Sequence, residues 1–378
     1  MASTVRNGQT WHAMMASPAH DEMARQMFVQ SLFKTVEDDL VPGTRKLWAA
    51  AVEPRFKKQQ GRAARDAGEV RKVLMQEPYV QTWSSIRRTL KEMQYDAVGP
   101  MVERQLPALI DRARTYRDSN RKLGTLTLQQ PFDVPRYMAE VDIHAKPGSF
   151  HTDLTDDDVF AGAEFDRTFY IIYNGALGPL GEDMGASVAA WTKANYPNLR
   201  PKRILDIGCT VGHGTLGWVD AFPDAEVHAI DTGAPCLRYA HARAEALGRK
   251  VHFSLQNGER TNFPDGSFDI VTSHILLHEL PRRVIKAVFA ESHRLLRKGS
   301  LMLHQDGSNY HALPPIDGFF SDWYTHYNNE PFQSGAHSLD KIGTATAAGF
   351  DTAKTFEAWA PSQRPGSKAR YYMAGAVR

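Results

Sequence analysis

Cysteine is nearly missing from this chain: Cys209 and Cys236 are the two present in 378 residues. Two thiols exclude a disulfide framework, and a reducing compartment, the cytoplasm, is the expected location. No apolar run approaches the ~18 residues that a membrane-spanning helix needs. The opening segment MASTVRNGQTWHAMMAS also lacks the apolar stretch of a secretory signal. Neither sign of charge dominates: 45 Lys and Arg against 43 Asp and Glu leave a formal net charge of +2, which gives no electrostatic case for a nucleic-acid partner. Internal repeats and low-complexity tracts are likewise missing. What is there is 42% hydrophobic residues in a chain long enough for two domains.

Residues 1–130 read mainly as helix. Met23, Met27, Phe28, Leu32, Phe33, Val36 and Leu40 recur at helical spacing, and the stretch from Trp83 to Tyr116 does much the same. Pro42-Gly43, Pro78, Gly99-Pro100 and Pro107 punctuate it, so an all-helical domain of four to six helices is expected. The basic stretch RFKKQQGRAARDAGEVRK carries interspersed acids and reads as a solvated helix face. Residues 131–200 are rich in aromatics, acids and turn residues and read as a bridge or lid packing beside the following domain. His144, His151 and Asp153 lie there without metal-ligand spacing, next to a Pro-Gly turn, so no metal site is expected and His151 is assigned to substrate contact.

The chemistry starts at RILDIGCTVGHGTLGWVDAFPDAEVHAID, Arg203 to Asp231. Arg203 to Gly208 is a short apolar run ending in glycine, the mark of a buried parallel strand entering a turn. A formal G-x-G-x-x-G at Gly212, Gly214 and Gly217 begins four residues too late for a dinucleotide fingerprint, whose first glycine makes that turn. Gly214 and Gly217 instead suit close helix packing. The loop at the strand end carries Asp206 two residues before Gly208. A carboxylate there opposes a pyrophosphate and favours a ligand with a positive centre. The next strand ends at Asp231, where an acid can accept from both ribose hydroxyls. A third element, VHFSLQNGERTNFPDGSFDIVTSHILLHEL, has two strands separated by a polar turn at Asn257-Gly258.

These segments together resemble the class I S-adenosylmethionine-dependent methyltransferases, with Thr210 in place of the middle glycine of their first motif and Asn257 in place of the acid that meets the adenine. The resemblance covers about half of the chain. It implies an α/β fold: a seven-stranded Rossmann-like sheet with helices on both faces, over residues 201–378, preceded by the all-helical domain. It implies S-adenosyl-L-methionine as cofactor, S-adenosyl-L-homocysteine as product, and cofactor contacts at Asp206, Gly208, Cys209, Thr210, Gly212, Asp231, Thr232, Asn257, Gly258 and His274.

Further along, LPRRVIKAVFAESHRLLRKGS reads as an amphipathic helix whose Val284, Val288, Phe289 and Leu295 face the sheet and which closes at Lys298-Gly299. The strand SLMLHQD, the helix LDKIGTATAAGF and an antiparallel pair, DTAKTFEAW with ARYYMAGAV, follow. An aromatic, turn-rich insertion at about 307–336 reads as a loop that lines the pocket or packs on the helical domain. Asp306, Tyr310, His311 and Trp323 are assigned to substrate there. His278, in SHILLHELP after the fourth strand, is the candidate general base; His304 reads as a buried neutral imidazole or a partner of Asp306. The expected activity is methyl transfer to a small aromatic or apolar metabolite, oxygen first among acceptor atoms, with a homodimer left open. Two alternatives stand: a cofactor-binding relative with a different reaction, and a non-catalytic partner-binding protein.

Overall fold

The structure, a computed structural model, describes residues 4–6, 9–129 and 131–378, with residues 4–6 and 311 described by backbone alone. A hairpin of β1 (Thr4–Arg6) and β2 (Gln9–Trp11) precedes helices α1 (His20–Thr35), α2 (Val41–Leu47), α3 (Glu53–Gln60), α4 (Ala67–Leu74) and α5 (Pro78–Asp118). The described part of residues 1–130 is therefore helical apart from this hairpin and a short strand, Thr125–Thr127, which belongs to the main sheet and not to the helical region. The prolines expected to break it mostly do not. Pro42 and Pro54 each follow a π-helical turn, Val36–Leu40 and Trp48–Val52, where a widened ring gives space to the pyrrolidine. Pro100 and Pro107 lie inside the 41-residue α5. Proline inside a helix costs ~3 kcal/mol, yet Val98, Met101, Val102 and Leu109 beside these two are fully buried. Apolar burial at ~1.5–3 kcal/mol for each large side chain outweighs that penalty.

One eight-stranded sheet runs in the order β3-β6-β5-β4-β7-β8-β10-β9. Its members are β3 (Thr125–Thr127), β4 (Arg203–Ile207), β5 (Glu226–Asp231), β6 (His252–Leu255), β7 (Phe268–His274), β8 (Leu296–Gln305), β9 (Thr355–Pro361) and β10 (Arg370–Val377). All neighbours are parallel except β10, which is antiparallel to both β8 and β9. Seven of these strands match the expected sheet; β3 adds an eighth at the edge beyond β6. The strand order reverses between β4 and β7, and in an open parallel sheet a ligand crevice opens at such a reversal.

Around the sheet lie α6 (Arg136–Ala139), α7 (Phe160–Tyr173), α8 (Asp183–Asn195), α9 (His213–Ala221), α10 (Ala234–Ala246), α11 (Arg282–Leu295), α12 (Pro315–Tyr327), α13 (Gln333–His337) and α14 (Lys341–Ala347). Alternation along the strands sorts the core. Leu205, Ile207, Val271 and Met302 share one cluster with Val284, Val288, Phe289 and Leu295 of α11, while Ile204, Ile270, Leu301 and Leu303 share another with Val188 of α8 and Trp218 of α9. Helix α11 stops at Leu295, earlier than expected. Lys298-Gly299 lies within β8 instead, where Gly299 takes φ 80° and its N–H donates to the Arg378 carbonyl.

The aromatic insertion is not a loop but the helices α12 and α13. The rings of Phe319, Phe320 and Trp323 stand 5.8, 5.4 and 5.6 Å from Trp83 of α5, joining the core of the N-terminal helices. A second tie is polar. Asp166 of α7, fully buried, accepts from Tyr239 Oη at 2.8 Å and meets His12 and His213 Nε2 at 3.0 and 2.7 Å and Arg243 Nε at 3.3 Å. Among the described residues, no helix is long and apolar enough to cross a membrane.

Candidate active site

At the carboxyl end of β4 the chain turns through three left-handed residues, Gly208 (φ 75°), Thr210 (φ 49°) and Gly212 (φ 80°), before α9 begins. A side chain at Gly208 would meet Leu276 Cδ1 at 2.6 Å. Thr210, where a glycine is the easier residue, is held by its N–H donating to Asp231 Oδ2 at 2.8 Å. Asp231 Oδ1 accepts the Gly233 N–H at 2.9 Å, so one carboxylate ties the loops after β4 and β5 together. Each oxygen keeps a lone pair for a further donor. Asp206 is buried, accepts from Thr215 Oγ1 at 2.6 Å through Oδ2, and leaves Oδ1 with no partner. Burial pushes its carboxyl up to about 7. Gly214 and Gly217 serve packing: a Cβ would meet His274 at 2.6 Å in the first and the Ala186 backbone of α8 at 2.2 Å in the second.

These loops form one wall of a cavity of about 650 Å³. Of the expected cofactor contacts, Asp206, Gly208, Cys209, Thr210, Asp231, Thr232, Asn257, Gly258 and His274 line it; Gly212 stands behind as the cap of α9. Asn257 uses its Oδ1 on the Glu259 N–H at 2.9 Å, and a Cβ at Gly258 would meet Ile207 Cγ2 at 2.6 Å. His274 Nε2 accepts from Trp218 Nε1 at 2.8 Å, and burial lowers its pKa to about 4. A buried orphan carboxylate oxygen, a second carboxylate with free lone pairs and glycines where side chains would intrude together fit a ligand with a cationic tail and a ribose.

The opposite wall comes from α5, α7, α12, α13 and the segment near His144. Phe150, Phe165, Phe169 and Tyr324 supply aromatic surface, and Lys91 and Gln94 of α5 supply polar groups. The residues assigned to substrate divide. Asp306 lines the cavity. Trp323 is fully buried against Trp83, its Nε1 donating to Ser84 Oγ at 2.8 Å, because its place on α12 points it into the helical core while Tyr324 next to it faces the cavity. His151 is partly exposed outside the lining, where its neighbour Phe150 takes the inward place. Tyr310 packs edge-on against His337 at 5.1 Å, also behind the lining. The side chain of His311 lies outside the described residues. His304 has no exposure and sits between Ser273 Oγ (2.8 Å) and Ser292 Oγ (3.2 Å); burial lowers its pKa to about 3, so it is a neutral core residue.

His278 reaches the cavity in company that the sequence did not announce. Its Nδ1 lies 3.0 Å from Asp306 Oδ1 and its Nε2 3.3 Å from Glu279 Oε1. The same Glu279 oxygen is 2.7 Å from His144 Nε2, and His144 Nδ1 is 2.7 Å from Glu330 Oε1. His337 Nε2 closes the far end, 3.2 Å from Asp306. Burial acts to lower His144, but Glu279 and Glu330 outweigh it and bring it to about 9. Burial also opposes a charge on His278, yet Asp306 and Glu279 raise it well above the usual imidazole range. Glu279, Glu330 and His337 carried no signal of their own. His144 and His278 are 134 positions apart, and only the fold brings them together.

Residues 204–299 match the family described as a methyltransferase domain. The demethylmenaquinone methyltransferase of Thermus thermophilus is 42% identical over 72 residues, 19% of this chain and 33% of that protein. The trans-aconitate 2-methyltransferase of Rhodopseudomonas palustris is 26% identical over 179 residues, 39% of this chain and 70% of that protein. An O-methyltransferase family protein from Burkholderia thailandensis superposes over 58% of this chain and 60% of its own, with 19% identity and a TM-score of 0.43. The chain spans about half the length or less of other curated relatives, 49% in one and 22% in another. Residues 204–299 of this chain therefore form a methyltransferase domain.

Proposed function

We propose that the protein transfers a methyl group from S-adenosylmethionine to a small, aromatic or otherwise apolar acceptor, with oxygen as the acceptor atom. The observation that carries this reading is the continuity of the cavity from the β4 and β5 loops to an aromatic wall. When bound, the cofactor supplies an electrophilic methyl group on sulfonium. In this reading Asp206 Oδ1 receives the cationic amino acid tail, Asp231 the ribose hydroxyls, and the Asn257-Gly258 turn the adenine; the unpartnered Asp206 oxygen and the free lone pairs of Asp231 support it. His274, Thr232, Cys209 and Thr210 complete that wall. Methyl transfer needs little beyond an acceptor held ~3–3.5 Å from the methyl carbon in a dry site. Phe150, Phe165 and Phe169 supply that surface.

Oxygen is favoured by the polar cluster at the cavity edge. An acceptor hydroxyl must give up its proton, and the His278–Glu279 pair is proposed to receive it through the Glu279 carboxylate, since Asp306 and Glu279 hold the His278 imidazole itself in its protonated form. Relatives named as C-, O- and N-methyltransferases share the domain, so the domain match leaves the acceptor atom open. The test is calorimetry followed by turnover: S-adenosylmethionine and S-adenosylhomocysteine bind while NAD and NADP do not, and a panel of phenols and hydroxy acids is methylated from labelled cofactor. Tight NAD binding, or cofactor binding with no methylated product from any oxygen, carbon or nitrogen acceptor in the panel, counts against it.

A further inference from the structure

The arrangement of His144, His278 and Glu279 is that of a metal-ligand set with its supporting shell. Both histidines turn Nε2 toward the same Glu279 oxygen, at 2.7 and 3.3 Å. Ligands ~2.1 Å from one metal ion lie about 3.0 Å apart in an octahedron and about 3.4 Å apart in a tetrahedron. The other nitrogen of each ring is held by a separate buried carboxylate, Glu330 for His144 and Asp306 for His278. Carboxylate–histidine–metal chains have this form: the outer acid fixes the ring and strengthens the inner nitrogen as a donor. Glu279 Oε2 is buried with no partner, so the carboxylate keeps a second donor atom in reserve.

His144 also stands in a strained backbone. It has φ 59° and the next residue, Ala145, has φ 55°. Two successive non-glycine residues in the left-handed region are unfavourable and persist where surrounding contacts dictate them. Here the conformation aims the imidazole between two carboxylates.

We propose that His144, His278 and Glu279 bind one divalent transition-metal ion at the edge of the cavity, with Glu330 and Asp306 as the outer carboxylates. Two imidazoles and one carboxylate are a set that suits Fe²⁺, Zn²⁺, Co²⁺ or Mn²⁺ and leaves coordination positions open. His278, Asp306 and His337 form a rival trio, but Asp306 Oδ1 is already taken by the Gly307 N–H at 2.6 Å, and that trio would use the His278 nitrogen that faces away from Glu279. All three proposed ligands line the cavity. An acceptor oxygen can therefore occupy an open position as its anion, since a bound cation lowers the pKa of a coordinated hydroxyl. Acceptors with two adjacent oxygens, such as catechols or hydroxy acids, would bind best. Proton balance is simple: the metal replaces the two protons that the imidazoles share with Glu279, and both leave to solvent.

Metal binding is independent of methyl transfer, because the ligands are in place whatever the reaction. The full-length protein is stripped with a chelator and titrated with Zn²⁺, Co²⁺, Mn²⁺ and, without oxygen, Fe²⁺, by calorimetry and metal analysis. One equivalent is expected for at least one of these ions, with a heat that varies with buffer ionisation as protons are released, and with Co²⁺ giving visible ligand-field bands. His144→Ala and His278→Ala should each weaken binding at least about 100-fold. Glu330→Gln, which preserves shape, should weaken it about 10- to 100-fold. Glu279→Gln covers the case in which an alanine variant fails to fold. Failure of all four ions to bind stoichiometrically to the wild-type protein, or binding untouched by these substitutions, overturns the proposal. Methyl transfer with a metal-free protein would do so for the catalytic role of the ion while leaving the methyltransferase reading intact.

Discussion

The amide of Thr210 donates to the carboxylate of Asp231 at 2.8 Å, and this bond holds a β-branched residue at φ 49°. One acid thus organises the loop after β4 and, in the proposed reading, presents its remaining lone pairs to the cofactor ribose. Asp231→Ala removes both functions. A lost charge-assisted hydrogen bond is typically ~1.5–3 kcal/mol, so cofactor affinity should fall about 10- to 150-fold. Thr210→Gly, which relieves the backbone without touching the acid, should leave affinity near wild type. Calorimetry on the two variants separates loop shape from charge.

Asp206 gives a pH dependence with a definite sign. Burial raises its carboxyl to about 7 in the folded protein, so in the free protein it holds its proton in mildly acid solution. Its contribution to stability is full below the unfolded value of ~3.9 and is lost as pH rises through 7. Binding of an ammonium tail requires the ionised form. Affinity for S-adenosylhomocysteine should therefore rise by about tenfold between pH 6 and 8 and level off above. Asp206→Asn should flatten the profile at weak binding, and a slope unchanged in that variant would assign the titration to another group.

The buried Asp166 makes a stability prediction. Its partners come from the N-terminal segment (His12), α9 (His213) and α10 (Tyr239 and Arg243). Asp166→Ala leaves the Arg243 guanidinium buried without its carboxylate, and breaking such a pair costs ~3–5 kcal/mol. Thermal unfolding should show a large drop in midpoint. Substituting Asp157, which pairs with Arg114 and Arg117 in a partly exposed position, should change the midpoint little.

The insertion helix predicts a division between adjacent residues. Trp323 is core, and Trp323→Ala should cost ~3–5 kcal/mol of stability. Tyr324, next to it, lines the cavity and its hydroxyl accepts from Arg87 Nη2, so Tyr324→Phe should cost less, ~1–3 kcal/mol for the lost bond, and change KM for the acceptor. This segment also shows what a sequence conceals. Ile316, Phe319, Phe320, Trp323 and Tyr327 stand at helical spacing, but Pro and Gly residues and the density of aromatics favour a loop reading. The sheet was easier to read, because β4 is a short apolar run, and both β4 and β5 end on residues whose chemistry is local: Asp206, Gly208 and Asp231. Helix α5 was read as broken since Pro100 and Pro107 act locally, whereas the burial that overrides them is tertiary. The cluster of His144, Glu279 and Glu330 joins segments far apart in the chain, so no spacing rule could assemble it.

Gln94 offers a test of the acceptor side. It has no exposure, its side-chain amide has no partner beyond the neighbouring Tyr95 hydroxyl, and it lines the same cavity as the loops after β4 and β5. A buried amide left unpaired costs ~1–3 kcal/mol for each unsatisfied group, and its replacement by an apolar side chain of like shape is neutral or stabilising. Gln94→Leu should therefore hold or raise the melting temperature of the free protein. If the amide is kept because the acceptor satisfies it, the same variant should raise KM for the acceptor about 10-fold or more, with cofactor affinity unchanged. The two readouts move in opposite directions for a binding residue. A variant that melts lower and binds the acceptor normally would instead mark Gln94 as structural, leaving Lys91 and Tyr324 as the polar contacts of that wall.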